Sequence, residues 1–197
     1  MNSRLLYVGF ALVGILFPLG CSGENTENFE PLFTGLKAGQ RGQQDCVSIA
    51  DASVKIEFND FDQNLNIYRS KGCKESSKAN MLVIPVEAQL AGMWNGFVVL
   101  DEGTDVNGRE IHLISINDAT KKYSIYYVNQ PLFEENQVTY FEATEKEAKL
   151  ADCAEQAPEV TQWNEMGFPL MIAQQKILDI KTGKTRSTDV LSCYPLQ

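Results

Sequence analysis

The chain contains one histidine, His112, in 197 residues. Nucleophile–base chemistry generally sets a histidine beside a Ser or Cys, with a third group to orient it. No Gly-x-Ser-x-Gly context accompanies His112, which sits among Ile111, Leu113 and Ile114 and reads as an ordinary strand residue. There is no Cys-x-x-Cys pair either, and with it goes the usual pattern of a four-thiolate zinc site. Positive charge is scarce: 17 Lys+Arg stand against 26 Asp+Glu, a formal net charge of −9. Such a surface repels phosphate backbones and anionic headgroups, which argues against nucleic acid as a partner. No apolar run reaches the roughly 20 residues that a membrane-spanning helix needs. Internal repeats and low-complexity tracts are absent as well.

The N-terminus carries the most specific signal. Arg4 precedes an uncharged apolar run from Leu5 to Leu16, and Phe17-Pro18-Leu19-Gly20-Cys21 closes it. Charge, apolar run and small-residue exit make up the layout of an export signal. The Leu-Gly-Cys ending resembles the lipobox of bacterial lipoproteins. That resemblance implies that Cys21 is acylated and becomes the first mature residue, attaching the protein to a membrane. With Ser22 next, it also implies sorting to the outer membrane of a Gram-negative envelope, facing the periplasm. Ordinary signal cleavage, for instance after Gly23, would instead give a soluble secreted protein. The expected organisation is a signal peptide over 1–20, a lipidated Cys21 with a flexible lead-in over 21–43, and one globular domain over 44–197. Apolar content of 44% suits a globular domain with a real core.

Cys46, Cys73, Cys153 and Cys193 remain after Cys21, an even count that in an exported chain points to two disulfides. Val54–Phe58 and Leu65–Tyr68 alternate like strands around the turn-forming cluster Asn59-Asp60-Phe61-Asp62. Antiparallel pairing about that turn matches positions summing to about 121, and brings Cys46 near Cys73 at the open end of the hairpin. Cys153 then pairs with Cys193.

Further strands are expected at Met81–Val86, Phe97–Leu100, Arg109–Ile116, Tyr123–Val128 and Val138–Phe141, with Pro85 marking an edge or a bulge. Residues 29–43, with Gly35, Gly39 and Gly42, read as irregular. Gly92-Met93-Trp94 is similar to the Gly-x-Trp element of lipocalins, but three strands precede it and that fold is not carried over. Thr144-Glu145-Lys146-Glu147 matches a capping box and predicts a helix to about Ala157. A second short helix is expected from Pro158, carrying Val160, Trp163 and Met166. The chain ends in a hairpin turning at Thr182-Gly183. The fold class is therefore α+β: an antiparallel sheet or partly open barrel with one or two helices before a C-terminal hairpin.

Candidate sites are few. Asp60, Asp62 and Asn64, and again Asp101, Asp105 and Asn107, have alternating oxygens like a calcium loop, but Leu65 and Lys71 stand where an EF-hand needs Gly and Glu. Polar turns account for both clusters, and no metal or cofactor is expected. Met81–Val86, Ile111–Ile116 and Tyr123–Val128 are apolar on both faces, which core packing or a ligand cavity would explain. Nine acids crowd residues 134–165, whereas the last hairpin carries Lys176, Lys181, Lys184 and Arg186. This basic hairpin either complements an acidic helix within the domain or docks a partner, with Lys181, Lys184 and Arg186 as the contact. The first functional expectation is a non-enzymatic envelope lipoprotein that binds a protein partner. The alternatives are a carrier of small apolar ligands and a secreted hydrolase working through carboxylates alone.

Overall fold

A computed structural model describes residues 27–58, 61–74, 79–103, 108–153 and 158–196. Three antiparallel sheets make up nearly all of it. The first has six strands in chain order: β1 (Glu27–Phe29), β2 (Gly39–Arg41), β3 (Val47–Ile49), β4 (Ala52–Phe58), β5 (Gln63–Tyr68) and β6 (Asn80–Ile84). The second contains β7 (Ala88–Trp94), β8 (Phe97–Gly103), β9 (Arg109–Ser115) and β10 (Lys121–Tyr127). The third contains β11 (Asn129–Phe133), β12 (Gln137–Glu147), β13 (Leu170–Asp179) and β14 (Lys184–Pro195). One α-helix, α1 (Pro158–Glu165), precedes β13. The protein is thus mainly β, not α+β, and among the described residues no sheet closes into a barrel.

The second sheet is the middle layer, and its sequence shows why. Val98, Leu100 and Ile114 pack with Val54, Leu65 and Ile67 of the first sheet, whereas Val99, Ile111 and Leu113 pack with Val138, Tyr140 and Leu178 of the third. Alternate side chains of a strand point to opposite faces, so a strand covered on both sides must be apolar throughout. The double-sided apolar strands β8 and β9 are therefore core on both faces, covered by further sheets. Met81 and Val83 of β6 differ: they face outward and are 62% and 57% exposed. Their strand is the free edge of the first sheet and ends just before Pro85.

Two sequence expectations are corrected. The helix from Thr144 is strand instead: β12 runs on to Glu147, paired with β13 through Glu142↔Gln174 and Ala143↔Ala173. The Thr144 hydroxyl donates to the carbonyl of Ile172 at 2.7 Å and does not cap a helix. Pairing along a long neighbouring strand outweighs a four-residue local match. Only a 3₁₀ turn forms beyond it, over Leu150–Cys153; residues 154–157 lie outside the described residues. The second correction concerns 29–43, which holds the last residue of β1 and all of β2 and buries Phe29, Phe33 and Leu36. Residues 32–37 form a strap between two sheet edges. Leu32 N–H donates to Ala91 and Lys37 N–H to Met93 on β7, while Thr34 accepts from Phe133 N–H on β11.

Gly35 makes that strap possible. Its φ of +90° is costly for any residue with a side chain, and a Cβ there would stand 1.7 Å from the Phe133 carbonyl oxygen. Gly35→Ala is expected to destabilise the protein by about 2–3 kcal/mol, the sum of left-handed strain and overpacking. Urea unfolding of the purified variant measures it, and a loss below about 0.5 kcal/mol would show that the strap shifts freely.

Both disulfides are formed, Cys46–Cys73 and Cys153–Cys193, each with Cα atoms 5.9 Å apart. The β4–β5 register has the expected sum, as in Val54↔Ile67 and Phe58↔Gln63. The route to the first bridge is less direct than hairpin pairing implies. Cys46 precedes β3, which lies on the other side of β4 from β5. Cys73 therefore folds back across β4, its N–H donating to Ser53 Oγ at 2.9 Å. The second bridge ties the 3₁₀ turn to β14, beneath Val160 and Trp163 of α1.

Candidate functional site

The two hairpins β8–β9 and β9–β10 assemble a polar cluster that is scattered in sequence. Register places Leu100, His112 and Ser124 in one row across the middle sheet, and Glu102, Glu110 and Tyr126 in the row two residues along. Glu102, Glu110, His112 and Ser124 consequently share one face. This is the face whose Leu100 and Ile114 pack under the first sheet. That cover gives out toward β10: His112 is only 3% exposed, Glu102 and Glu110 are half-buried, and Ser124 is exposed.

His112 Nε2 lies 2.6 Å from a Glu102 carboxylate oxygen, and Nδ1 lies 3.1 Å from Ser124 Oγ. Glu110 Oε1 is 3.7 Å from Nδ1, and Lys121 Nζ is 3.5 Å from it. Glu102, Glu110 and His112 each bring one donor atom to within 4.8 Å of the others. An imidazole nitrogen with two carboxylates is a set that can hold a divalent transition metal. The strand reading of His112 holds, but its surroundings are far from ordinary. Nothing in local sequence announces them, because the partners lie 10, 2 and 12 positions away. The β8–β9 register pairs positions summing to 212 and so sets 102 opposite 110, whereas a two-residue turn at Asn107-Gly108 would give 215 and misses the pair.

The opposite face carries a second network. Asp101, 3% exposed, accepts from Arg109 Nε at 2.9 Å, from Arg109 Nη2 at 2.6 Å and from the Tyr127 hydroxyl at 2.8 Å. Burial pushes the Tyr127 phenol well above its usual range, and its hydrogen bond to Asp101 adds to the shift. The hydrogen bond to Asp101 likewise raises the Arg109 guanidinium. Asp101 therefore belongs to β8 and to an internal ion pair, which corrects its place in an oxygen-rich loop; Asp105 and Asn107 lie outside the described residues. In the other oxygen-rich cluster Asn64 is a β5 residue opposite Glu57 and Val83, and Asp62 is exposed. Asp60 lies outside the described residues.

Lys181, Lys184 and Arg186 are exposed at the tip of the β13–β14 hairpin, where Asp179 pairs with Lys184. Asp179 accepts from the N–H groups of Thr182 and Lys181 at 3.0 and 2.9 Å, and these bonds, that to Thr182 first, hold its carboxyl below the usual range. The helix α1 packs near Leu170 and Cys193, at the far end of the same two strands. An acidic helix beside a basic tip is thus not what forms. Between these regions the ion pair is Lys176 with Glu142, mid-strand. Among the described residues, Lys181, Lys184 and Arg186 make no ion pair within 4.0 Å.

An open groove of about 360 Å³ separates the first sheet from the start of β7, lined by Val47, Val54, Ile56, Phe58, Gln63 and Leu90. Gln63 closes its floor by donating to the Pro85 carbonyl at 3.1 Å. Cys21 lies outside the described residues, among which no helix is long and apolar enough to cross a membrane. No protein-family model matches the chain, and neither a curated protein nor a solved structure matches it.

Proposed function

We propose that this is an exported protein, held at a bacterial envelope membrane through an acyl group on Cys21, that works by binding a protein partner. The observation that carries this reading is the basic hairpin tip: Lys181, Lys184 and Arg186 project from a strongly acidic protein without ion-pair partners among the described residues. Charges so placed raise association rate and fix orientation more than they add affinity. Two disulfides suit an oxidising compartment outside the cytoplasm. Both faces of the middle sheet are filled by protein side chains, which favours a surface-binding role over an interior cavity. Few residues separate Cys21 from β1, and a tether that short reaches on the order of 15 Å. The partner therefore sits in, or docked on, the same membrane.

The test is cross-linking in the envelope of cells expressing the full chain with its own leader. Lys181→Glu/Lys184→Glu/Arg186→Glu is expected to weaken capture of the partner several-fold with its unfolding midpoint unchanged, and unchanged capture at low and physiological salt would remove the tip as the contact. Cys21→Ala is expected to leave the membrane fraction. Should it still sediment with membranes after high-salt washing, the anchor reading fails. The groove beside β7 favours a second reading, a carrier of a small apolar ligand, and stoichiometric uptake of a fluorescent fatty acid would support that in its place.

A further inference from the structure

We infer that Glu102, Glu110 and His112 form a binding site for a divalent transition metal, for which Zn²⁺ is the fitting probe. Glu102 and Glu110 are direct cross-strand partners on β8 and β9. Like charges in that position repel and weaken a sheet, and here the buried face beside them leaves little water to screen them. A dication between them turns this repulsion into attraction. The third donor, His112, is 3% exposed and set two residues along on the same face, so its ring is held in place by packing before any ion arrives.

The two ring nitrogens have different surroundings, and these assign their roles. Nε2 faces the Glu102 carboxylate at 2.6 Å, while Nδ1 faces the Ser124 hydroxyl at 3.1 Å. A metal-bound imidazole characteristically donates its other N–H to an oxygen that fixes tautomer and orientation. Nε2 is thus the ligand, and Nδ1–H donates to Ser124 Oγ. Bonds of about 2.0–2.2 Å to nitrogen and carboxylate oxygen require the Glu102 oxygen to withdraw by less than about 1 Å from its present contact. Glu110 Oε1 lies 3.7 Å from Nδ1, so its carboxylate, 30% exposed, must turn toward the Nε2 side to complete the set. Lys121, an exposed side chain beside Nδ1, contributes positive charge to the pair of acids, and an arriving dication takes over that role.

The donor set selects the ion. One imidazole nitrogen with two carboxylates suits Zn²⁺ and its first-row neighbours, whereas Ca²⁺ wants six to eight oxygens and Mg²⁺ an oxygen octahedron that keeps several waters. Three protein ligands leave a coordination position open for water or for a donor from a bound molecule. Such a site is separate from the hairpin tip and does not depend on acylation of Cys21.

The experiment uses the full, untagged chain, stripped with a chelator and titrated with Zn²⁺ by calorimetry and by ¹⁵N NMR of the imidazole. His112 is the only histidine, so its ring resonances are unambiguous. One equivalent is expected to bind, with the Nε2 resonance shifting strongly and the ring proton on Nδ1 in the metal-bound form. Glu110→Gln at a half-buried position and Ser124→Ala at an exposed one are expected to fold and to weaken binding at least about tenfold. Ca²⁺ is expected to leave the imidazole resonances unmoved. Absence of one-equivalent binding would overturn the site. So would Zn²⁺ binding with the His112 ring unmoved, or full affinity in Glu110→Gln.

Discussion

Reduction of both disulfides is expected to lower the stability of the protein by about 7 kcal/mol. The bridges close loops with sequence separations of 27 and 40 residues. Chain-entropy reasoning assigns each about 3.5–4 kcal/mol, because the oxidised unfolded chain has fewer conformations to lose. Domains of this size are held by roughly 5–15 kcal/mol in all, so the reduced protein is expected to be marginal or unfolded at 37 °C. The two contributions are separable by where they act. Cys46–Cys73 fastens β3 and the turn before it across β4, where β1, β2 and β3 span only three residues each and have little ladder of their own. Cys153–Cys193 fastens the 3₁₀ turn, and α1 packed on it, against β14. Urea unfolding with and without a phosphine reductant measures the total, and Cys→Ala pairs measure each share. A reduced protein within about 1 kcal/mol of the oxidised one would mean that the sheets alone carry the fold.

The strands were legible where alternation and turn chemistry agree. Residues 59–62 set the β4–β5 register, and Thr182-Gly183 marks the last turn, with Gly183 at a φ of +67°. Of the strands apolar on both faces in sequence, Ile111–Ile116 pointed correctly to burial on both, whereas Met81–Val86 leaves Met81 and Val83 exposed and Tyr123–Val128 leaves Ser124 exposed. The pattern could not say what covers each face, because a second sheet and a layer of helices ask the same of the strand between them. Thr144–Glu147 misled because a capping box is a local pattern, and its use as strand depends on β13, whose residues begin some two dozen positions later. Phe29, Phe33 and Leu36 were hidden by three nearby glycines, one of which, Gly35, lets the strap pass close to Phe133. The polar cluster was the least legible part. Each member is an unremarkable strand residue in sequence, and only the register of two successive hairpins places Glu102, Glu110, His112 and Ser124 on one face.

Asp101→Ala is expected to cost about 3 kcal/mol, toward the lower end of what breaking a buried ion pair costs. Three side chains lose a partner at once, Arg109, Tyr127 and Gln89, whose Nε2 donates to Asp101 at 3.4 Å. The Arg109 guanidinium donates to Asp101 through Nε and Nη2, and the Tyr127 hydroxyl donates from the third strand of the same sheet. Arg109 is 44% exposed in its side chain and can turn to water, which moderates the loss. Tyr127 is buried, edge-on against Phe33 at 5.8 Å, and keeps beside its hydroxyl only the Arg109 guanidinium, a donor that cannot accept its proton. Its orphaned hydroxyl accounts for about 1–3 kcal/mol of the effect. Adding Tyr127→Phe to Asp101→Ala is therefore expected to restore part of the stability, although Tyr127→Phe alone costs about 1 kcal/mol. Thermal or urea unfolding of the four proteins completes the double-mutant cycle. Additive losses would show that the two side chains do not act together. Asp101 and Glu102 point to opposite faces of β8, so the folded fraction of Asp101→Ala is expected to keep the Zn²⁺ affinity of the parent. A coupled loss of binding would instead make the Asp101–Arg109 pair part of what holds β8 and β9 in the register the metal site needs.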